Sequence, residues 1–305
     1  MKIGFVGTGI MGGHMARRLA AAGASVHAWN RSAAKVEALA AHGVMRVATP
    51  SAALDGADVA IVMLSSGPVC DAVLFDADDS GHVPAEALAS GATLVVMSSI
   101  PVETARAQAA RVSGRGVRYV DAPVSGGESG ARDGTLAIMA GGEVQTVRDV
   151  AQALTPLGRV THLGPAGSGQ LAKLANQIIV GGTIAIVGEA LLFAAKAGAD
   201  PTKVRQALMD GFANSRILEV HGERMVKRTF DPGFRIELHL KDLSIALTGA
   251  RSLQMSLPLT AITQQLMNAC AARGGSGWDH SATVKALEQL ANFEIGQKSG
   301  HEDLG

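Results

Sequence analysis

The sequence predicts an α/β chain: a doubly wound, mostly parallel sheet, then an all-helical domain, the two joined by one long helix. Three observations predict it. Gly7-Thr8-Gly9-Ile10-Met11-Gly12 is a G-x-G-x-x-G run set between an apolar strand, Lys2 to Val6, and a helical stretch, Met15 to Ala22, the setting of a Rossmann-type dinucleotide fold. Strand-like and helix-like segments then alternate as far as Leu163, after which strands stop. Between these regimes, Gly164 to Gly198 contains no proline beyond Pro165 and closes on a glycine. Such a segment forms one helix of about 30 residues, roughly 45 Å long. The expected domains are 1–163 and 164–295, with the joining helix over 166–197 and a polar tail over 296–305.

Taken in order, the first glycines permit a tight turn and close approach of a pyrophosphate, which the following helix N-terminus would hold with unpaired N–H groups. The second strand, Ser25 to Trp29, runs into Asn30-Arg31-Ser32, with Lys35 a turn later. A dinucleotide fold that takes NAD usually places a carboxylate here for the ribose 2′-hydroxyl. None is present, and Arg31 with Ser32 suits a 2′-phosphate, so NADP is favoured with NAD as the alternative. The bland reading is that Arg31 and Lys35 are solvated surface charges. Strand-like runs follow at Asp58–Leu64, Thr93–Met97, Val117–Asp121, Leu136–Ala140 and Val160–Leu163, with helical stretches at Lys35–His42, Val102–Arg111 and Thr146–Leu154. Ligands in such sheets bind beyond the strand carboxyl ends. There stand Met63-Leu64-Ser65-Ser66 and Met97-Ser98-Ser99-Ile100-Pro101, which read equally well as plain loops. Asp121-Ala122-Pro123-Val124-Ser125-Gly126-Gly127 offers a hydroxyl and unobstructed N–H groups that suit a small carboxylate, or forms an ordinary glycine-rich loop.

On the long helix, Lys173, Asn176 and Gln177 share one face near the start. A lysine directed inward there needs an anionic or reacting partner, although a lone helix lysine more often snorkels to solvent. The middle, Ile178 to Val187, is apolar nearly all round, as in a helix packed on every side. Helices then follow at Asp200–Met209, Leu218–Lys227, Leu238–Arg251, Ala261–Arg273 and His280–Ala291. Lys241 and Asp242 read by spacing alone as a surface pair.

Composition narrows the function classes. Lys plus Arg and Asp plus Glu both number 27, so the net charge is zero, which argues against nonspecific nucleic-acid or membrane-surface binding. Two distant cysteines, Cys70 and Cys270, indicate no disulfide framework or metal site and suit a reducing cytoplasm. Glycines and Arg17-Arg18 interrupt the apolar N-terminus, unlike a secretory signal. Glu189 closes the longest apolar run, so no membrane span is expected.

The glycine fingerprint, the Asp121–Gly127 loop, Lys173 with Asn176, and Lys241-Asp242 occur in an order that resembles the β-hydroxyacid dehydrogenases, from Lys2 to about Ala291. Within that family the chain is similar to enzymes related to 3-hydroxyisobutyrate dehydrogenase. The resemblance implies hydride transfer between NAD(P) and a short hydroxyacid or semialdehyde, with Lys173 as general acid. It implies that Ser125, Gly126 and Gly127 hold the substrate carboxylate and that Asn176 orients the substrate. Lys241, with Asp242, matches a position at the cofactor and substrate cleft, and Ser98-Ser99 a loop near the nicotinamide. Gly7 to Gly12, Asn30, Arg31, Ser32, Met63 and Leu64 fall at cofactor positions, and relatives form homodimers or homotetramers. The chain departs from the family pattern at Val96, where an Asp is frequent, and at Pro101, before which the Ser-Pro or Ala-Pro segment is shortened. The rival from another class is a noncatalytic NADP-binding module, against which an intact Lys173 argues.

Overall fold

The computed structural model describes residues 1–297; the expected tail, 296–305, lies from residue 298 on outside the described residues. The chain divides into two compact units, Met1–Lys173 and a second from Leu174 onward.

The first unit holds nine strands: β1 Lys2–Val6, β2 Ser25–Trp29, β3 Val44–Arg46, β4 Val59–Val62, β5 Thr93–Val96, β6 Arg118–Asp121, β7 Val124–Ser125, β8 Leu136–Gly142 and β9 Gly158–Gly164. Their order is β3-β2-β1-β4-β5-β6-β8-β7, with β9 paired to β8. Neighbours from β3 to β6 are parallel, and β8 is antiparallel to β6 and β7. The order reverses between β1 and β4, so the crevice at their carboxyl ends is the topological switch point where such sheets bind ligands.

Both sheet faces are buried, and the side chains alternate between them. Ile3, Phe5, Ile61 and Val95 pack with Met15 and Leu19 on one face. Val6, Val62, Leu94 and Val96 pack with Leu54, Leu74 and Ile100 on the other. Two strands, β3 and β7, were not anticipated, because runs of three and two residues show no period. Helices Pro50–Leu54 and Gly67–Phe75 were also missed, although each has a proline in its first turn and a cap: Thr49 accepts the N–H of Ala52, and Ser66 that of Val69. The expected helix Lys35–His42 is broken into Ala33–Glu37 and a single tight turn, Ala40–His42.

The long helix is Ser168–Lys196, 29 residues. In the second unit its buried residues Ile184, Val187, Leu191 and Leu192 form a core with Leu218, Met225, Val284 and Leu287. Helices Pro201–Met209, Glu223–Lys227, Ile236–Ser252, Pro258–Ala272 and Val284–Ala291 complete it. Two expectations for the long helix are corrected. It is not packed on every side: Ile179, Ile186 and Phe193 are 66%, 59% and 77% exposed in the single chain. It is also long and apolar enough to cross a membrane, with a mean hydropathy of 2.1 over 18 residues, because the lone Glu189 is diluted over so many apolar neighbours. Its buried residues nevertheless build a protein core.

Candidate active site

The glycine turn after β1 is shaped by close backbone approach. Gly7 has φ +102°, and a Cβ there would lie 2.3 Å from the carbonyl oxygen of Met63. A Cβ on Gly12 would lie 2.0 Å from the Gly7 oxygen, whereas around Gly9 nothing comes within 4 Å. The helix Ile10–Ala21 that follows has no side-chain cap and no acidic residue in its first turn. Thr8 Oγ1 is buried there with no hydrogen-bond partner. Ile10 is exposed, and Met11 packs on the sheet. Unshielded N–H groups, an orphaned hydroxyl and open space fit a dinucleotide pyrophosphate.

Asn30 organises the end of β2, accepting the N–H of Thr8 (3.1 Å) and donating to the Ser32 carbonyl (3.1 Å). Arg31 and Ser32 are exposed beside it. Arg31 and Arg46 line a cavity of about 250 Å³ with Trp29, Asn30, Val47 and Asp79. At the ends of β4 and β5, Met63, Leu64 and Ser99 are half-buried. Ser98 is buried, and its hydroxyl takes the Leu64 N–H (2.7 Å), joining the two strand ends rather than facing outward.

Ser125 ends β7, and Gly126 and Gly127 follow with φ of +136° and +63°. These conformations strain any residue with a side chain, so the turn presents its main-chain N–H groups bare. A short helix, Gly127–Asp133, starts here, where the sequence suggested only a loop. Its Glu128 meets His14 of the cofactor-turn helix at 3.3 Å.

Lys173 is 6% exposed, on the second turn of the long helix. That helix start is fixed from the sheet. The Asp121 carboxylate, at the end of β6, accepts the N–H groups of Gly167 (2.7 Å) and Gln170 (2.8 Å). Burial pushes the Asp121 pKa up to about 6, with these N–H donors pulling the other way. Gln170 takes the Ile100 N–H (3.0 Å) on its oxygen and gives its amide N–H to the Ser98 carbonyl (3.0 Å). The small residues at the helix start have a steric cause: a Cβ on Gly169 would lie 2.3 Å from the Met139 oxygen and 2.6 Å from the Asp121 oxygen. The sequence marks Asp121 only as the head of a glycine-rich loop and Gln170 not at all, since their partners lie 46 and more residues away.

In the second unit, Asn176 is half-buried and Gln177 buried. Gln177 donates to Asp242 (2.8 Å), and Lys241 Nζ lies 3.1 Å from the other Asp242 oxygen. Asp242 is 1% exposed, so this is not the surface pair that spacing suggested. The carboxylate holds side chains in place.

Two family models cover the chain: the NAD binding domain of 6-phosphogluconate dehydrogenase over residues 2–164 and the NAD-binding of NADP-dependent 3-hydroxyisobutyrate dehydrogenase over residues 167–287. The chain is 51% identical to the 2-hydroxy-3-oxopropionate reductase of Escherichia coli (strain K12), over 97% of this chain and 100% of that one. It is 36% identical to a 3-hydroxyisobutyrate dehydrogenase-like protein of Arabidopsis thaliana, over 96% and 87% of the two chains. The structure of Mycobacterium tuberculosis 3-hydroxyisobutyrate dehydrogenase with L-serine superposes with a TM-score of 0.84 at 29% identity, covering 94% of this chain and 98% of that one. The chain thus belongs to the β-hydroxyacid dehydrogenase family and is an NAD(P)-dependent oxidoreductase of the 2-hydroxy-3-oxopropionate reductase type.

Proposed function

We propose that the protein reduces 2-hydroxy-3-oxopropanoate (tartronate semialdehyde) to D-glycerate, with NADPH preferred and Lys173 as general acid. The observation that carries the substrate is the 51% identity with 2-hydroxy-3-oxopropionate reductase along the whole chain; the buried Lys173 supplies the chemistry. The nicotinamide, when bound, supplies the hydride that forms the new C–H bond at the aldehyde carbon. Lys173 Nζ hydrogen-bonds the carbonyl oxygen, then gives it a proton as the π-bond electrons collect there, leaving a hydroxyl and a neutral amine. In oxidation the amine takes the proton back. The Ser125 hydroxyl and the N–H groups of Gly126 and Gly127 receive the substrate carboxylate. By family resemblance, Asn176 orients the substrate and Lys241 supports its binding.

The NADPH preference rests on Arg31, which has no carboxylate among residues 29–32 to oppose a 2′-phosphate. Arg46, across the same cavity, lies 3.4 Å from Glu37. A homodimer or homotetramer and a cytoplasmic setting belong to the same proposal. Ile179, Ile186 and Phe193, seven residues apart, line one helix face that a second copy would cover.

The test is the initial rate of NADPH and NADH oxidation with tartronate, methylmalonate and succinic semialdehydes. The highest kcat/KM with tartronate semialdehyde and NADPH supports both readings. A different preferred semialdehyde overturns the substrate, and a preference for NADH overturns the role of Arg31. Oxidation with none of them returns the noncatalytic module.

A further inference from the structure

The second unit contains a buried chain of imidazoles outside the residues assigned above. His239 Nε2 lies 3.0 Å from the backbone carbonyl oxygen of Gln177, and its Nδ1 lies 2.9 Å from His280 Nδ1. His280 Nε2 lies 3.2 Å from His221 Nε2, and His221 Nδ1 lies 3.5 Å from Asp279 Oδ1. His239 and His280 are 0% and 5% exposed, and Phe234 sets its ring edge against both.

Both end points, the Gln177 carbonyl and the Asp279 carboxylate, are acceptors. A carbonyl oxygen only accepts, so His239 donates from Nε2. His280 joins the two outer rings, with Nδ1 toward His239 and Nε2 toward His221. Asp279 anchors the far end. Its Oδ1 takes the N–H and O–H of Ser281, its Oδ2 takes the N–H groups of Gly233 and Phe234, and Arg224 stands 3.4 Å away. With both oxygens so occupied, Asp279 is a poor metal ligand, and the cluster reads as a hydrogen-bonded chain rather than a cation site.

The near end is equally specific. Gly181, one turn beyond Gln177, makes the room, because a Cβ there would lie 3.1 Å from His239 Nε2. The Gln177 carbonyl thereby gains a side-chain donor in mid-helix, next to Asn176. The Gln177 side chain holds Asp242 beside Lys241.

We infer that His239 and His280, backed by His221 and Asp279, are positioning residues of the reaction. They fix the helix turn that bears Asn176 and Gln177, and through Gln177 the Lys241–Asp242 pair. The inference rests on the preceding reading that Asn176 and Lys241 serve the substrate.

Three measurements test it. Long-range ¹H–¹⁵N imidazole spectra of the full chain should show His239 protonated on Nε2. His239 protonated on Nδ1 alone would overturn its bond to the Gln177 carbonyl and with it the inference, as would one zinc retained per chain after purification. His239→Leu should lower kcat with tartronate semialdehyde by about 10- to 100-fold, the scale of a misplaced reacting geometry, with the Kd for NADPH within about twofold of the parent. His239→Gln, which keeps a donor, should recover most of it. A merely structural role would lower the Tm of both variants and leave kcat and KM of the folded enzyme unchanged, which overturns the inference. Asn176→Ala and Lys241→Met separate the two readings. If both keep parental rates, the site reading fails and the positioning role falls with it. If both lose activity while His239→Leu does not, only the positioning role falls.

Discussion

Gly9 and Gly12 stand three residues apart in one motif, and the structure gives them opposite tasks. In Gly12→Ala the new methyl would lie 2.0 Å from the Gly7 carbonyl oxygen, against an ordinary C···O contact of about 3.3 Å. Both atoms belong to packed backbone, so the helix must move off the turn. Alanine gains about 1 kcal/mol of helix propensity over glycine, while overpacking of this kind costs about 1–3 kcal/mol or more. The sub-van-der-Waals contact with backbone puts the cost at the upper end, so the clash wins by up to about 2 kcal/mol, and the Tm falls by up to roughly 4–8 °C for a unit of this size. Gly9→Ala meets no atom within 4 Å, and its backbone, φ −69° and ψ −161°, suits alanine without strain. Its Tm should stay within about 2 °C of the parent. The methyl instead occupies the space where a pyrophosphate must reach the N–H groups, and NADPH affinity should fall at least about tenfold, or 1.4 kcal/mol. Thermal unfolding of the apo proteins and NADPH titration by fluorescence separate the effects. Parental NADPH affinity in a folded Gly9→Ala protein would refute this turn as the cofactor cradle.

Other expectations follow from single residues. Lys173→Ala should fold and bind NADPH but lose about 10²–10⁴ in kcat; steady-state activity within tenfold of the parent removes Lys173 from the mechanism. Arg31→Ala should weaken NADPH binding and leave NADH nearly unchanged, as read from the two kcat/KM values, because a charge-assisted contact to the 2′-phosphate contributes about 1.5–3 kcal/mol; equal losses with both cofactors would refute the assignment. Asp121 titrates near 6 in the folded chain against an ordinary 3.8, so the folded state holds that proton more tightly than the unfolded one. Its contribution is therefore full below about pH 4 and is lost as pH rises through about 6, up to about 3 kcal/mol. Urea unfolding between pH 4 and 7 should show this slope in the parent and not in Asp121→Asn; identical slopes would sink the idea. Ile186→Asp, on the exposed face of the long helix, should reduce the mass seen by light scattering to that of a monomer. An unchanged mass places the subunit contact elsewhere.

What could be read in advance follows how local each cause is. The glycine fingerprint works within six residues, so its strand-turn-helix setting was legible, as were the inward direction of Lys173 and the long helix. The steric reason for each glycine was not, because the atom that excludes a side chain at Gly7 belongs to Met63, and the one at Gly169 to Met139. Asp121 shows the same limit in the other direction. The sequence presents it as the start of a glycine-rich loop, yet its carboxylate caps the helix bearing Lys173, 46 residues later at Gly167. An aspartate has no local mark that distinguishes a remote helix cap from a turn residue. Spacing misses the setting of Lys241 and Asp242 for a related reason, since adjacency describes a pair but not the Gln177 amide that hydrogen-bonds one member of it.

The histidines extend this limit to chemistry. His239 and His280 lie 41 residues apart, and His280 and His221 59 apart, spacings with no motif to announce them. Yet a buried ring nitrogen calls for a partner, so setting His239 Nε2 against the Gln177 carbonyl turns its Nδ1 to His280, whose Nε2 in turn faces His221. The local sequence decides which residues can do chemistry near Lys173 and Asn176. The long-range contacts decide how tightly the helix that carries them is held, through Asp121 and Gln170 at its first turn and, on our reading, through His239 two turns later.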